Sequence, residues 1–274
     1  MTTTRYLQRP GGRIAYDDSG GSGPLLVAAP GIGDSRRVYR HLVPLLTAAG
    51  LRVATMDLRG QGESTTGWDD LSDRAVASDY LALVEELGGG PAVAVGNSLS
   101  CASAVIAATE AAPDRVAGIA LIGPFVRPVP LKWWQAMAFK AMLAPPWGRR
   151  AWMSYYRKKL YPGPQPPDLD EYTEALAANL AEKGRMADFR RLAAADHAES
   201  GSRLGDVDRP ALVVMGTADP DFPDPVAEAR HLGDVLGAEV LLVDGSGHYP
   251  QADSPDVVAP AIIALAERVT GPGC

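Results

Sequence analysis

Pro91-Ala92-Val93-Ala94-Val95-Gly96-Asn97-Ser98-Leu99-Ser100-Cys101-Ala102 is the stretch whose reading decides the fold. Its first half is an Ala/Val run behind Gly88-Gly89-Gly90, the pattern of a strand buried in a parallel sheet. Its second half continues as Ser103-Ala104-Val105-Ile106-Ala107, small and helix-compatible. Ser98 stands between the two, at a sharp turn that pushes its hydroxyl out of the sheet edge. The N–H of Leu99 then lies at a helix start, where partial positive charge favours an oxyanion. Gly96 leaves room on the strand side that a Cβ would fill.

Outward from this stretch, strand and helix patterns alternate. Residues 5–8 and 13–17 read as a leading hairpin turned at Pro10-Gly11-Gly12. Leu25–Ala29 and Leu51–Met56 read as strands, with a helix between them from first-turn Pro44 to Gly50. Ser72 caps a helix whose apolar positions Val76, Tyr80, Leu81, Val84 and Leu87 fall at helical spacing. Val116–Ile122, Ala211–Met215 and Val240–Val243 are further strands, with helices near 224–236 and 254–269. This alternation predicts an α/β protein with a mostly parallel central sheet flanked by helices. Residues 1–124 and 206–274 form the expected core, and 125–205 a helical insertion over the sheet edge.

Composition narrows the classes. The chain has 274 residues, 46% of them hydrophobic, enough for one large α/β domain with an insertion. A net charge of −7 argues against non-specific nucleic-acid binding. No stretch approaches the ~18 apolar residues of a membrane span. Cys101 and Cys274 supply neither a disulfide framework nor metal-ligand spacing, and the start shows no secretory pattern, so a cytoplasmic protein is expected. Phosphate-cradle and zinc motifs are not found. Gly31-x-Gly33 fails as a dinucleotide fingerprint because position 36 is Arg. No metal and no cofactor is expected.

The elbow around Ser98 resembles the nucleophile elbow of the α/β-hydrolase fold family, whose pattern is Gly-x-Ser-x-Gly. Here Ser100 stands at the last position. Asp57-x-Arg59-Gly60-x-Gly62-x-Ser64 resembles a second hallmark of the family, expected as a turn held by Arg59 and Asp57 beneath the oxyanion loop. The resemblance spans about residues 24–123 and 205–270, and implies an α/β-hydrolase fold with a helical cap.

A serine nucleophile needs a base, and the base an orienting carboxylate. Of the four histidines only His248 lies beyond a strand end, in Asp244-Gly245-Ser246-Gly247-His248-Tyr249-Pro250. Met215-Gly216-Thr217-Ala218-Asp219-Pro220-Asp221 follows a strand and offers Asp219, with Asp221 as the fallback. Asp219 matches the family's Gly-x-x-Asp spacing, and the chain order Ser98, Asp219, His248 is the family's order. The resemblance places the oxyanion hole at the N–H groups of Ile32, in Pro30-Gly31-Ile32-Gly33, and Leu99. Cys101 reads as a small packing residue, since nothing near it in sequence would lower its pKa.

These residues together imply a serine hydrolase that cleaves an ester, lactone or thioester through an acyl-enzyme on Ser98. Non-ester chemistry on the same fold, such as C–C cleavage, perhydrolysis or cyclisation, and a non-catalytic small-molecule receptor are the alternatives. The insertion carries no acidic residue from 115 to 167, but holds Arg127, Lys132, Lys140, Arg149, Arg150, Arg157, Lys158 and Lys159 among Trp133, Trp134, Trp147, Trp152, Tyr155 and Tyr156. Two readings stay open. One is a cap whose aromatic and methionine face lines an apolar pocket, with Phe125, Trp133, Trp134 and Met137 touching the apolar part of a small substrate. The other is a docking face for an acidic carrier protein or an anionic surface.

Overall fold

The computed structural model describes residues 3–128 and 133–270. Strands β1 (Arg5–Arg9) and β2 (Gly12–Asp18) form the leading hairpin, and β2 pairs antiparallel with β4 (Arg52–Met56). Beyond it, β4, β3 (Leu25–Ala29), β5 (Ala92–Asn97), β6 (Val116–Ile122), β7 (Ala211–Gly216) and β8 (Glu239–Val243) are parallel. The order across the sheet is β1-β2-β4-β3-β5-β6-β7-β8.

Strand periodicity divides the core in two. Ala92, Ala94, Val213 and Met215 face one layer, with α2 (Asp73–Glu86), α3 (Ser100–Glu110) and α9 (Pro225–Leu236). Val93, Val95, Leu212 and Val214 face the other, with α1 (Leu42–Ala48) and α11 (Pro255–Thr270). Both faces being covered explains why these strands read as continuous apolar runs. The Ser72 hydroxyl caps α2 by accepting the Ala75 N–H at 3.2 Å.

Three details differ from the sequence reading. The helix expected from Pro44 begins at Leu42, after a 3-10 turn over Arg36–Tyr39. A proline third in a helix is tolerated, because its missing N–H belongs to the first unpaired turn. On α2, Leu83 is fully buried where Leu81 is half-buried. The C-terminal helix is preceded by a separate short turn, α10 (Pro250–Asp253), broken from it at Ser254.

Between β6 and β7 the chain leaves the sheet through α4 (Trp133–Met142), α5 (Gly148–Lys159), α6 (Leu169–Asn179), α7 (Arg185–Leu192) and α8 (Ala198–Arg203), ending in a 3-10 turn at Leu204–Asp206. Trp152, Tyr156, Phe189 and Tyr172 from this cap join the second core layer. The arrangement is the α/β-hydrolase topology with a helical cap. Lys132 and Cys274 lie outside the described residues.

Candidate active site

The proposed catalytic residues and the first oxyanion donor each follow the C-terminal end of a parallel strand: Ile32 after β3, Ser98 after β5, Asp219 after β7 and His248 after β8. That rim is where parallel strands hand over to loops, so side chains far apart in sequence meet there.

Ser98 has φ of 58°, the left-handed region that non-glycine residues rarely enter. Its N–H donates to Ile122 O at 2.9 Å, and its carbonyl accepts the Cys101 N–H at 3.0 Å. A Cβ on Gly31 would come within 2.8 Å of Ser98 Cβ, and one on Gly96 within 2.7 Å of the Cys101 backbone. The missing Cβ atoms therefore let the elbow close. Ser100, in place of the family's glycine, is absorbed into the turn: its hydroxyl accepts the Asn97 N–H at 2.8 Å and lies 2.8 Å from Ala29 O. It is fully buried, whereas Ser98 retains 6% exposure. The hydroxyl presented at the elbow is that of Ser98.

His248 Nδ1 lies 2.7 Å from Asp219 Oδ2, and the other oxygen of Asp219 accepts the Asp221 N–H at 3.0 Å. Asp221 Oδ2 stands farther from Nδ1, at 3.7 Å. Asp219 is therefore the carboxylate bonded to the ring, and the bond is made at Nδ1. Burial works against an imidazolium here, but Asp219 and then Asp221 more than offset it, and His248 is pushed up to about 9. A Cβ on Gly123 would meet the imidazole at 3.1 Å, so the glycine lets β6 end against the ring.

Asn97, which the sequence reading passed over, binds this assembly together. Its side-chain amide donates to Ile122 O at 3.1 Å and to His248 O at 3.3 Å, linking the elbow, the end of β6 and the histidine loop.

The loop at Ile32 is braced from two sides. Asp34 N–H donates to Gln61 Oε1 at 3.1 Å and Arg36 N–H to Asp57 Oδ1 at 2.7 Å. The 57–64 turn thus supports this loop as expected, but with different partners. Asp57 pairs with Arg36, while Arg59 turns away to Asp79 at 2.6 Å and stacks over Trp68. The position of Arg59 in its motif carries no information about which carboxylate it reaches. From above, Trp152 donates to Gly33 O at 3.3 Å.

Beside that loop Asp34 is 1% exposed, with Tyr156 donating to Oδ2 at 2.6 Å and Tyr172 donating to Oδ1. Burial pushes Asp34 up, and the phenols act against that shift. Nothing in the sequence pairs these three residues, because the tyrosines lie more than a hundred positions downstream.

Of the four residues offered for substrate contact, Phe125 lies at the site, with its ring 5.9 Å edge-on from His248 and 4.8 Å from Phe222. Trp133, Trp134 and Met137 are 79%, 53% and 56% exposed on α4, so they line no packed apolar pocket. A helix carrying apolar residues around much of its circumference does not reveal by sequence which of them face the core. The remaining histidines are engaged elsewhere or exposed: His41 with Asp168, His197 with Asp73, and His231 on the outer side of α9. Cys101 is fully buried, and burial pushes its thiol up, away from nucleophilic use.

A serine in a strained strand-to-helix elbow, with an Asp-oriented histidine on the same rim, is the site of a serine-type α/β hydrolase. A sequence model of the α/β hydrolase family matches residues 26–261, and the chain belongs to that family. It is 28% identical over 261 residues to a probable esterase of Oryza sativa subsp. japonica, covering 87% of this chain and 90% of that protein. It is 25% identical over 266 residues to a karrikin insensitive 2 receptor of Petunia hybrida, with the same coverage of 87% and 90%. Among solved structures, a bromoperoxidase from Bacillus anthracis superposes with a TM-score of 0.83 at 19% identity, over 97% of this chain and 100% of that one.

Proposed function

We propose that the protein hydrolyses an ester, lactone or thioester with a sizeable apolar part, using Ser98 as nucleophile. Residues 1–124 and 206–274 carry the catalytic rim, and 125–205 act as its cap. His248 Nε2 takes the Ser98 proton as the hydroxyl attacks the carbonyl, then gives it to the leaving group. Asp219 holds the ring in the tautomer this requires and stabilises the imidazolium. The N–H groups of Ile32 and Leu99 receive the developing oxyanion, each supplying about 3–4 kcal/mol of transition-state stabilisation. Water then attacks the acyl-enzyme along the reverse proton path. Phe125, 5.9 Å from His248, and Phe222, 4.8 Å from Phe125, favour an apolar group next to the scissile carbonyl.

The observation that carries this reading is the 2.7 Å Asp219–His248 contact on the rim where Ser98 occupies a left-handed elbow. A fluorophosphonate probe tests it. Stoichiometric labelling at Ser98, abolished in Ser98→Ala, is the expected result; labelling that survives the substitution rejects the assignment.

The cap supports a second role, delivery from an anionic surface or an acidic carrier protein. Among the described residues, Trp133, Trp134, Met137 and Trp147 are exposed apolar groups. Lys140, Arg150, Lys158 and Lys159 are exposed cations in a segment with no acidic side chain from 115 to 167. Arg127 and Arg157 are answered within the chain by Glu228 and Asp170, and Arg149 binds the Ala177 carbonyl. Reversing Arg150, Lys158 and Lys159 together is expected to spare turnover of a small neutral ester and to lower turnover of a carrier-tethered or surface-bound one. Equal loss on both would speak against docking. No helix among the described residues is long and apolar enough to cross a membrane. The buried free thiol of Cys101 suits a reducing compartment such as the cytoplasm.

A further inference from the structure

Two carboxylates, not one, face the imidazole. Asp219 Oδ2 is 2.7 Å from His248 Nδ1 and Asp221 Oδ2 is 3.7 Å from the same nitrogen. The two acids are held in fixed relation, because the Asp221 N–H donates to Asp219 Oδ1 at 3.0 Å. Asp221 has a further partner: the Tyr155 hydroxyl of α5 donates to its Oδ1. A single carboxylate therefore touches the catalytic histidine with one oxygen and the cap with the other.

We propose that Asp221 is a second, tuning carboxylate for His248, and that Tyr155 controls its charge, so that cap contact is felt at the imidazole. The proposal rests on the reading of His248 as the base for Ser98. Asp219 alone satisfies the ring's N–H, so Asp221 is not needed for orientation. What Asp221 adds is charge close to Nδ1, favouring the imidazolium. A hydrogen bond from Tyr155 favours the ionised form of Asp221 against its burial and against the neighbouring Asp219. With the Tyr155 contact made, His248 holds its proton more tightly. With it broken, Asp221 takes up a proton more readily and His248 becomes the freer base. The two states suit different halves of the reaction, since the imidazolium must donate to the leaving group after the imidazole has accepted from Ser98.

The other groups around His248 do not share this geometry. Asp34, from the loop after β3, acts on the ring only through space and is held by Tyr156 and Tyr172. The Tyr249 ring stands 5.1 Å away at 78°, an edge contact with no hydrogen bond to the imidazole. The effect of Asp221 adds to that of Asp219 and follows it in size.

The test is the pH dependence of fluorophosphonate labelling at Ser98, together with an NMR titration of the His248 imidazole in the intact protein. Asp221→Asn keeps the N–H to Asp219 and removes the charge. It is expected to lower the His248 midpoint by about one to three pH units, the effect of one close opposite charge. Tyr155→Phe is expected to shift it the same way by less, and to add nothing in the Asp221→Asn background. That lack of additivity separates tuning through Asp221 from general loosening of the cap. Identical His248 midpoints in wild type and Asp221→Asn overturn the proposal, as does a Tyr155→Phe shift that persists in the double variant. Labelling at a residue other than Ser98 would sink the hydrolase reading instead, while the NMR titration still decides the role of Asp221.

Discussion

The side-chain amide of Asn97 donates to the main-chain carbonyl of His248 at 3.3 Å, across 151 positions of sequence. The residue before the nucleophile thus holds the loop that carries the base. The same amide reaches Ile122 O at 3.1 Å, so the ends of β5 and β6 and the histidine loop share one donor group.

Replacing Asn97 by Leu keeps the bulk and removes the donor. The carbonyls of Ile122 and His248 then lose a buried partner, at about 1–3 kcal/mol of stability. The larger effect is expected on turnover, about a hundredfold in kcat, because small displacements of a base are amplified in rate. Urea denaturation and steady-state kinetics on the same preparations check both numbers; a stability loss with unchanged kcat would deny Asn97 its positioning role.

Asp34 ties the cap to the loop of Ile32 through two phenols from different cap helices, Tyr156 of α5 and Tyr172 of α6. Tyr156→Phe and Tyr172→Phe are each expected to cost about 1–3 kcal/mol, the range for leaving a buried polar group short of one hydrogen-bond partner. Because both serve one carboxylate, the double variant should depart from the sum of the singles. Strict additivity in denaturation midpoints at constant m-value would show that the two phenols act independently.

His248 is raised from its ordinary 6.5 to about 9, and two consequences follow. As a base it must be neutral, so kcat/KM of the free enzyme should climb through neutral pH towards a limb near pH 9. A limb at the ordinary histidine value would show that the two carboxylates leave the ring unperturbed. The stability effect has the opposite direction. A group that binds its proton more tightly when folded stabilises fully below its unfolded pKa, and this is lost as pH rises through the folded one. The difference in Tm between wild type and His248→Gln should therefore shrink between about pH 6.5 and 9. Calorimetry of both proteins across that window isolates the contribution of His248 from everything else that titrates.

The legible part of this protein was local. Ala92–Asn97 reads as a buried strand because covering both sheet faces demands continuous small apolar residues. Gly96 announces a tight turn because only a missing Cβ permits the 2.7 Å approach seen at Cys101. Position then separates His248 from His41, His197 and His231, since it alone sits in the loop directly beyond a strand end. Such features depend on neighbours within a few residues, and a sequence records its neighbours directly.

Tertiary structure alone decided which groups meet. The sequence prefers Asp219 to Asp221 by spacing alone, and only packing sets them at 2.7 and 3.7 Å from one nitrogen. Arg59 shares a motif with Asp57 and yet pairs with Asp79, while Arg36 takes Asp57. Tyr156 and Tyr172 acquire a role only because cap helices fold back over Asp34. Hydrogen bonds and ion pairs act over about 3–4 Å. Their partners are therefore chosen by how distant segments pack, which no local pattern of residues encodes.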